Sequence, residues 1–284
     1  MDTRTELQQS TERIEASSTH ADAIELVQWA KSMVGKVERG DMMIGIMSVD
    51  QARLIPVALR KALDLGVAEA GLALADWLVR TPIGEADIAA AEDVLLEAIA
   101  LGLHGACRQL MSYRWYYRRD TCTDQEAQQA FALLEKWFVK NLDDSDAMYL
   151  LALVTCHGFG TSANPERSAK MLEKAASMGN ADAMFELYIY YANGMGVATD
   201  KAKAIVCLRQ AGEAGQVRAM YNLGAFHATG RDVPMDQTLA VQWYTRAAHA
   251  GHPRAAETLA VMYEDGLGVA QDDTLARKFR EMAG

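Results

Sequence analysis

Four alanines, Ala147, Ala183, Ala219 and Ala255, follow one another at a constant step of 36 residues. A step of this length is that of one supersecondary unit, which buries its apolar face only by stacking on a copy of itself. The copies read AMYLLALVTCHGFG from Ala147, AMFELYIYYANGMG from Ala183, AMYNLGAFHATGRD from Ala219 and AAETLAVMYEDGLG from Ala255. Leu151, Leu187, Leu223 and Leu259 come four residues after the alanines, and Ala152, Tyr188, Gly224 and Ala260 come next. Apolar residues at these intervals predict an amphipathic helix of about three turns. Gly158, Gly194, Gly230 and Gly266 then mark its stop, since glycine enters the left-handed conformation without a Cβ clash.

A second glycine follows at Gly160, Gly196 and Gly268, with Asp232 in the third copy. Asn164, Asp200, Asp236 and Asp272 are placed to cap a second helix, their side chains accepting from unpaired N–H groups. That helix carries Ser168, Ala204, Ala240 and Ala276, then Met171, Cys207, Trp243 and Phe279, then Ala175, Ala211, Ala247 and Ala283, and closes at Gly179, Gly215 and Gly251. The small residues let two helix axes approach while the larger one fills the neighbouring groove. Upstream, Ala70 and Ala106 are again 36 residues apart, with Asp87, Ala91, Ala98 and Gly102 in phase and Ala62 and Gly66 ending an earlier copy. Ala106 to Ala147 is 41 residues, and the extra length is expected around RWYYRRDTCT, Arg114 to Thr123.

The succession of alanine, leucine-glycine, GxGV, aspartate, Trp-Tyr and Ala-Ala-x-x-Gly resembles Sel1-like repeats, a branch of the tetratricopeptide-type helical arrays. GMGVATD, GLGVAQD and AVQWYTRAAHAG carry the likeness most closely. Thr81 and Asp232 depart from it, each where a glycine belongs. The resemblance implies an all-α, right-handed solenoid of antiparallel helix pairs that acts as a protein-binding scaffold. About six pairs are expected, as one elongated unit. Residues 1–20 are expected to be a polar, flexible start, and 21–69 capping helices with a degenerate first repeat. Repeats follow at about 70–105, 106–146, 147–182, 183–218, 219–254 and 255–284. Ala21 to Val34, with Ile24, Val27, Trp29 and Met33, is expected to form a capping helix, and Pro56 suggests the start of the next.

A net charge of −10 argues against a general grip on nucleic acid. The polar start does not read as a secretory signal, and no run is long and apolar enough to span a membrane. Cys107, Cys122, Cys156 and Cys207 share no repeat position, so a reduced, cytoplasmic protein is expected. Some cysteine-rich relatives are associated with β-lactam binding or hydrolysis. The resemblance leaves that enzymatic alternative open, but without the paired cysteines a non-catalytic protein with no cofactor is the better reading. The GxG turns lack the strand and the Lys-Ser/Thr pair of phosphate loops. His249 and His252 lack a third metal ligand nearby, and His227 stands where Tyr191 and Tyr263 do, as a packing residue.

The resemblance makes the first helix of each pair line a groove for a protein or peptide partner. Its candidate residues are Tyr149, Phe185, Tyr221, His157, Asn193, Arg218 and Arg254. Asp146 and Asp182 stand where Arg218 and Arg254 stand later, so the groove would run from acidic to basic. Aromatics packed between repeats are the alternative. Arg114, Tyr116 and Arg118 of the RWYYRR segment form a second candidate surface. Its alternative has Trp115 in the core and the arginines in solvent or paired with Asp120 and Asp124. Bacterial regulation, secretion or envelope signalling are the settings the family implies, with an immunity-type or self-assembling protein as narrower versions. The oligomeric state is not predicted.

Overall fold

The computed structural model describes residues 3–38, 49–80 and 87–283. These form fifteen helices and no strand: α1 (Thr3–Ala16), α2 (His20–Glu38), α3 (Val49–Asp64), α4 (Glu69–Arg80), α5 (Ile88–Ala100), α6 (Ala106–Tyr117), α7 (Asp124–Lys140), α8 (Ser145–His157), α9 (Pro165–Ser177), α10 (Ala181–Asn193), α11 (Lys201–Glu213), α12 (Val217–Thr229), α13 (Gln237–His249), α14 (Pro253–Asp265) and α15 (Asp273–Ala283). They fall into two compact units, Met1–Val139 and Lys140–Gly284.

In the first unit the polar start is helical. α1 packs on α3, buries Ile14 and reaches α2 through Arg13 Nη2, which donates to Glu25 Oε2 at 2.8 Å. α2 buries Ala23, Leu26, Val27, Ala30 and Met33. Ile24 is exposed and Trp29 only half-buried. Pro56 lies inside α3 rather than at its start. There it forgoes one backbone hydrogen bond, while Ala52, Ile55, Ala58 and Leu59 bury the helix face around it. The alanines in phase with the period, Ala62, Ala70, Ala91, Ala98 and Ala106, are fully buried. The Thr81 position and the Gly40–Ser48 stretch lie outside the described residues. The extra length before Ala147 is mainly in α7, which has 17 residues against 13 in α9, α11 and α13.

The second unit is an α-solenoid of four helix pairs, α8/α9, α10/α11, α12/α13 and α14/α15. The four leading alanines are at 0% exposure. Each first helix ends on a left-handed glycine, with φ of 73°, 73°, 71° and 69° at Gly158, Gly194, Gly230 and Gly266. Asn164, Asp200, Asp236 and Asp272 cap the second helices, accepting from Arg167, Lys203, Leu239 and Leu275 N–H. The second glycine of the turn joins one pair to the next. A Cβ on Gly196 would lie 2.3 Å from Pro165, at the start of α9. One on Gly268 would lie 2.4 Å from Gln237, at the start of α13. At the third joint Asp232 keeps the left-handed turn, with φ 58°, and accepts from Lys201 Nζ at 3.2 Å.

Gly196 and Gly215 both have positive φ, 66° and 100°, but a Cβ on Gly215 would meet nothing within 4 Å. Gly215→Ala is therefore expected to cost about 1–2 kcal/mol from backbone strain alone. Gly196→Ala adds the collision with α9 and is expected to cost clearly more. Urea unfolding of the two variants side by side checks the order.

Candidate functional site

The first helices of the second unit are also capped, by residues of changing chemistry. Asp144, Asn180, Gln216 and His252 stand at one register, and each accepts from the N–H of the leading alanine three residues on. The amide caps also reach back one pair. Asn180 Nδ2 donates to Asp146 Oδ1 at 2.9 Å, and Gln216 Nε2 to Asp182 Oδ1 at 3.3 Å. At the next step both partners change. Arg218 replaces the aspartate and His252 replaces the amide, so no such bond can form. Arg218 instead lies over Phe185, its Cζ 4.6 Å from the ring centroid. His252 stacks on Tyr221 at 4.4 Å with 10° between the planes.

The result is a cleft lined by Phe185, Arg218, Tyr221, Asn222, His252, Pro253 and Arg254. It gathers four of the expected groove residues, Phe185, Tyr221, Arg218 and Arg254. Phe185 is only 3% exposed and serves as floor beneath Arg218. Tyr221 is half-buried between His252 and Tyr244. Both guanidinium-bearing residues are exposed, and neither forms an ion pair with a described residue. Burial pushes the carboxyl of Glu186 up, and Arg218 pulls it partly back. Tyr149 is half-buried on α8, whereas His157 and Asn193 are exposed at the ends of their helices. His157 Nδ1 is 2.9 Å from Leu153 O, and Asn193 Nδ2 donates to Ile189 O at 2.9 Å. These three do not line the cleft.

The RWYYRR segment, in the first unit, is not a free basic patch. Arg114 is 2% exposed and Glu92 3%. Arg114 Nε donates to Glu92 Oε2 at 3.1 Å, and Arg118 Nη1 to the same oxygen at 2.8 Å. Arg114 also donates to the Glu126 carbonyl, and Arg118 pairs with the Glu126 carboxylate at 3.4 Å. Arg114 thus leaves the list of docking residues, because its charge is spent inside the fold. Glu92 and Glu126, not Asp124, are the partners of these two arginines. Arg119 does approach Asp120, at 4.0 Å, and lies over buried Trp115. Tyr116 remains exposed.

The Sel1 repeat family model matches at four consecutive stretches, residues 145–180, 181–216, 217–252 and 253–283. Residues 145–283 are four Sel1 repeats. Each matched stretch begins on the first residue of a first helix of the second unit, two residues before the expected boundaries. Solved structures show the same fold. A protective antigen of uropathogenic Escherichia coli displaying an SLR fold is 26% identical, with a TM-score of 0.58 over 80% of this chain. This chain spans only 48% of that antigen. A Sel1 repeat protein from Oxalobacter formigenes is also 26% identical, with a TM-score of 0.51 over 56% of this chain and 66% of its own. An immunity protein from Pseudomonas aeruginosa is 20% identical, with a TM-score of 0.52 over 76% of this chain and 80% of its own, a likeness of fold alone. No curated protein matches the chain.

Sel1 repeats commonly mediate protein–protein interaction and are generally non-catalytic scaffolds. No described helix is long and apolar enough to cross a membrane, and among the described residues no three His, Cys, Asp or Glu side chains gather as a metal site. His249 packs edge-on against Phe279 while His252 faces Tyr221. His227 is buried, its Nδ1 3.3 Å from Pro234 O. Sequence reasoning missed Asn222, Pro253 and His252 as cleft residues. The signal for His252 was its place in the register of Asn180 and Gln216.

Two measurements follow from these groups. Removing Glu92 would strand Arg114 inside the first unit, so Glu92→Ala is expected to cost about 3–5 kcal/mol in urea unfolding. The second concerns His252. Burial, reinforced by Arg254 and opposed by its backbone hydrogen bond, lowers its pKa from 6.5. The folded chain holds it neutral, with Nδ1 accepting from Ala255 N–H. The unfolded chain binds the proton first as pH falls, so the stability contributed is present above 6.5 and lost as pH drops through the folded value. Thermal melts between about pH 7.5 and pH 5 should therefore show a larger loss of Tm for wild type than for His252→Asn, which keeps the cap as Asn180 does.

Proposed function

We propose that the protein is a non-catalytic adaptor whose Sel1 repeats hold an acidic segment of a partner protein in the cleft between α10, α12 and α14. The observation that carries this reading is the pair Arg218 and Arg254, exposed above a floor of Phe185 and Tyr221 in a chain of net charge −10. A protein with that net charge repels acidic partners at long range, so a local pair of arginines works as a selective seat for one carboxylate-bearing segment. Arginine stacked on an aromatic ring is held in a fixed orientation and still presents its N–H fork to a carboxylate. Tyr221 and Asn222 add a planar surface and an amide beside that fork. The likeness to an immunity protein concerns fold only and does not decide whether the bound partner is inhibited or merely carried.

The test is affinity capture from the native source with wild type and with the Arg218→Glu/Arg254→Glu double variant. A stoichiometric partner held by wild type, released by moderate salt and lost in the variant supports the cleft. Retention by the variant sinks it.

A further inference from the structure

On the other side of the second unit, between α9 and α11, runs an open groove of about 710 Å³. Its walls are mostly apolar: Met184, Leu187 and Tyr191 from α10, Val206 and Cys207 from α11, and Ala176 from α9. The repeat explains why it is open. The register of Cys207 holds Trp243 one copy later and Phe279 two copies later. Trp243 is buried between α11 and α13, and a Cβ on Gly212, the counterpart of Ala176, would lie 3.2 Å from its ring. Phe279 is buried between α13 and α15, with Ala248 at the counterpart of Ala176, and it stacks on Tyr263 at 5.6 Å with 14° between the planes. Tyr263 is the counterpart of Tyr191. The joint between α9 and α11 therefore has the tyrosine wall and the alanine floor of the Phe279 site but lacks the ring that fills it.

The geometry points to this groove as a docking site for one aromatic side chain of a partner protein, seated against Tyr191 as Phe279 is seated against Tyr263. Tyr191 is held in place for this role, its hydroxyl donating to Glu173 at 2.8 Å. Lys203 lies over the Tyr191 ring at 5.4 Å, but its chain is 65% exposed and can swing aside without opening the core. Val206 is 55% exposed, so the apolar wall reaches the surface, where a partner can enter. Burial and then the Glu173 carboxylate push the Cys207 thiol up, so it stays protonated and behaves as an apolar wall. An aromatic ring suits the space because flat side chains bury a large area at small conformational cost and prefer stacked or edge-on ring partners. This site is independent of the arginine cleft.

The experiment is methionine-methyl NMR on the full chain, titrated with N-acetyl-phenylalaninamide and, separately, with N-acetyl-leucinamide. The Met184 methyl signal is expected to shift with the aromatic amide and to respond several-fold less to the aliphatic one. Cys207→Phe, which copies the Phe279–Ala248 pairing, is expected to abolish the shift and raise Tm by about 2–4 °C. Val206→Lys, a change at an exposed position, is expected to weaken the shift without unfolding the chain, and serves if Cys207→Phe folds poorly. Arg218→Glu/Arg254→Glu is expected to leave it untouched. No shift in wild type, an equal response to leucinamide, or a shift that survives Cys207→Phe overturns the proposal. So does a Met184 signal that moves with protein concentration alone, which would put a second copy of this chain in the groove.

Discussion

The contact between a two-glycine turn and the start of a helix in the preceding repeat governs the second unit. The turn that ends α10 lies flat on the first residue of α9, with Gly196 against Pro165, and the turn that ends α14 lies on α13 in the same way. This contact and the buried alanines set the distance between successive helix pairs. Everything presented on either face inherits that spacing. Asp232 shows that the joint accepts a side chain: it keeps the left-handed turn and meets the helix start through an ion pair to Lys201.

On this constant frame the two faces differ by single substitutions in register. Along the first helices, an amide donating to a carboxylate gives way to an imidazole and a guanidinium that no longer bond to each other. The arginine and histidine turn to aromatic rings, and a ladder that closes the surface becomes a cleft. Along the second helices, tryptophan and phenylalanine lock two of the joints while cysteine leaves the third unlocked. In both cases an interaction surface arises where a structural side chain is missing, not where a new loop is added.

The fold of the second unit was legible because its determinants are local and repeat: glycine stops, side-chain caps three residues from their N–H donors, small residues in register. The cleft was half legible. Arg218, Arg254, Tyr221 and Phe185 follow from their offset to the leading alanines, but the burial of Phe185 depends on a guanidinium from the next repeat. His252 was weighed only as a metal ligand and missed as a cleft residue, because Asn180, Gln216 and His252 look unrelated until their shared cap is seen. Arg114 was misread for a different reason. It neighbours Trp115 on one helix, and both can be buried only because Glu92, 22 residues away, supplies the counter-charge. The extra length before Ala147 was legible in the spacing, but its place in α7 was not, since the helix simply runs on past the length of its counterparts.

The joint also governs how such a chain can change in length. Asp232 meets a helix start 31 residues upstream, as Gly196 and Gly268 do. Loss or duplication of one whole period, such as residues 181–216, hands each remaining turn an equivalent helix to rest on. Any other length leaves a turn with nothing to rest on. Recombination in whole periods would therefore preserve the stack and rewrite its faces: losing that one period would remove Phe185 from the cleft and Cys207 from the groove. In a protein built this way, unequal crossing-over edits the choice of partner while the architecture survives.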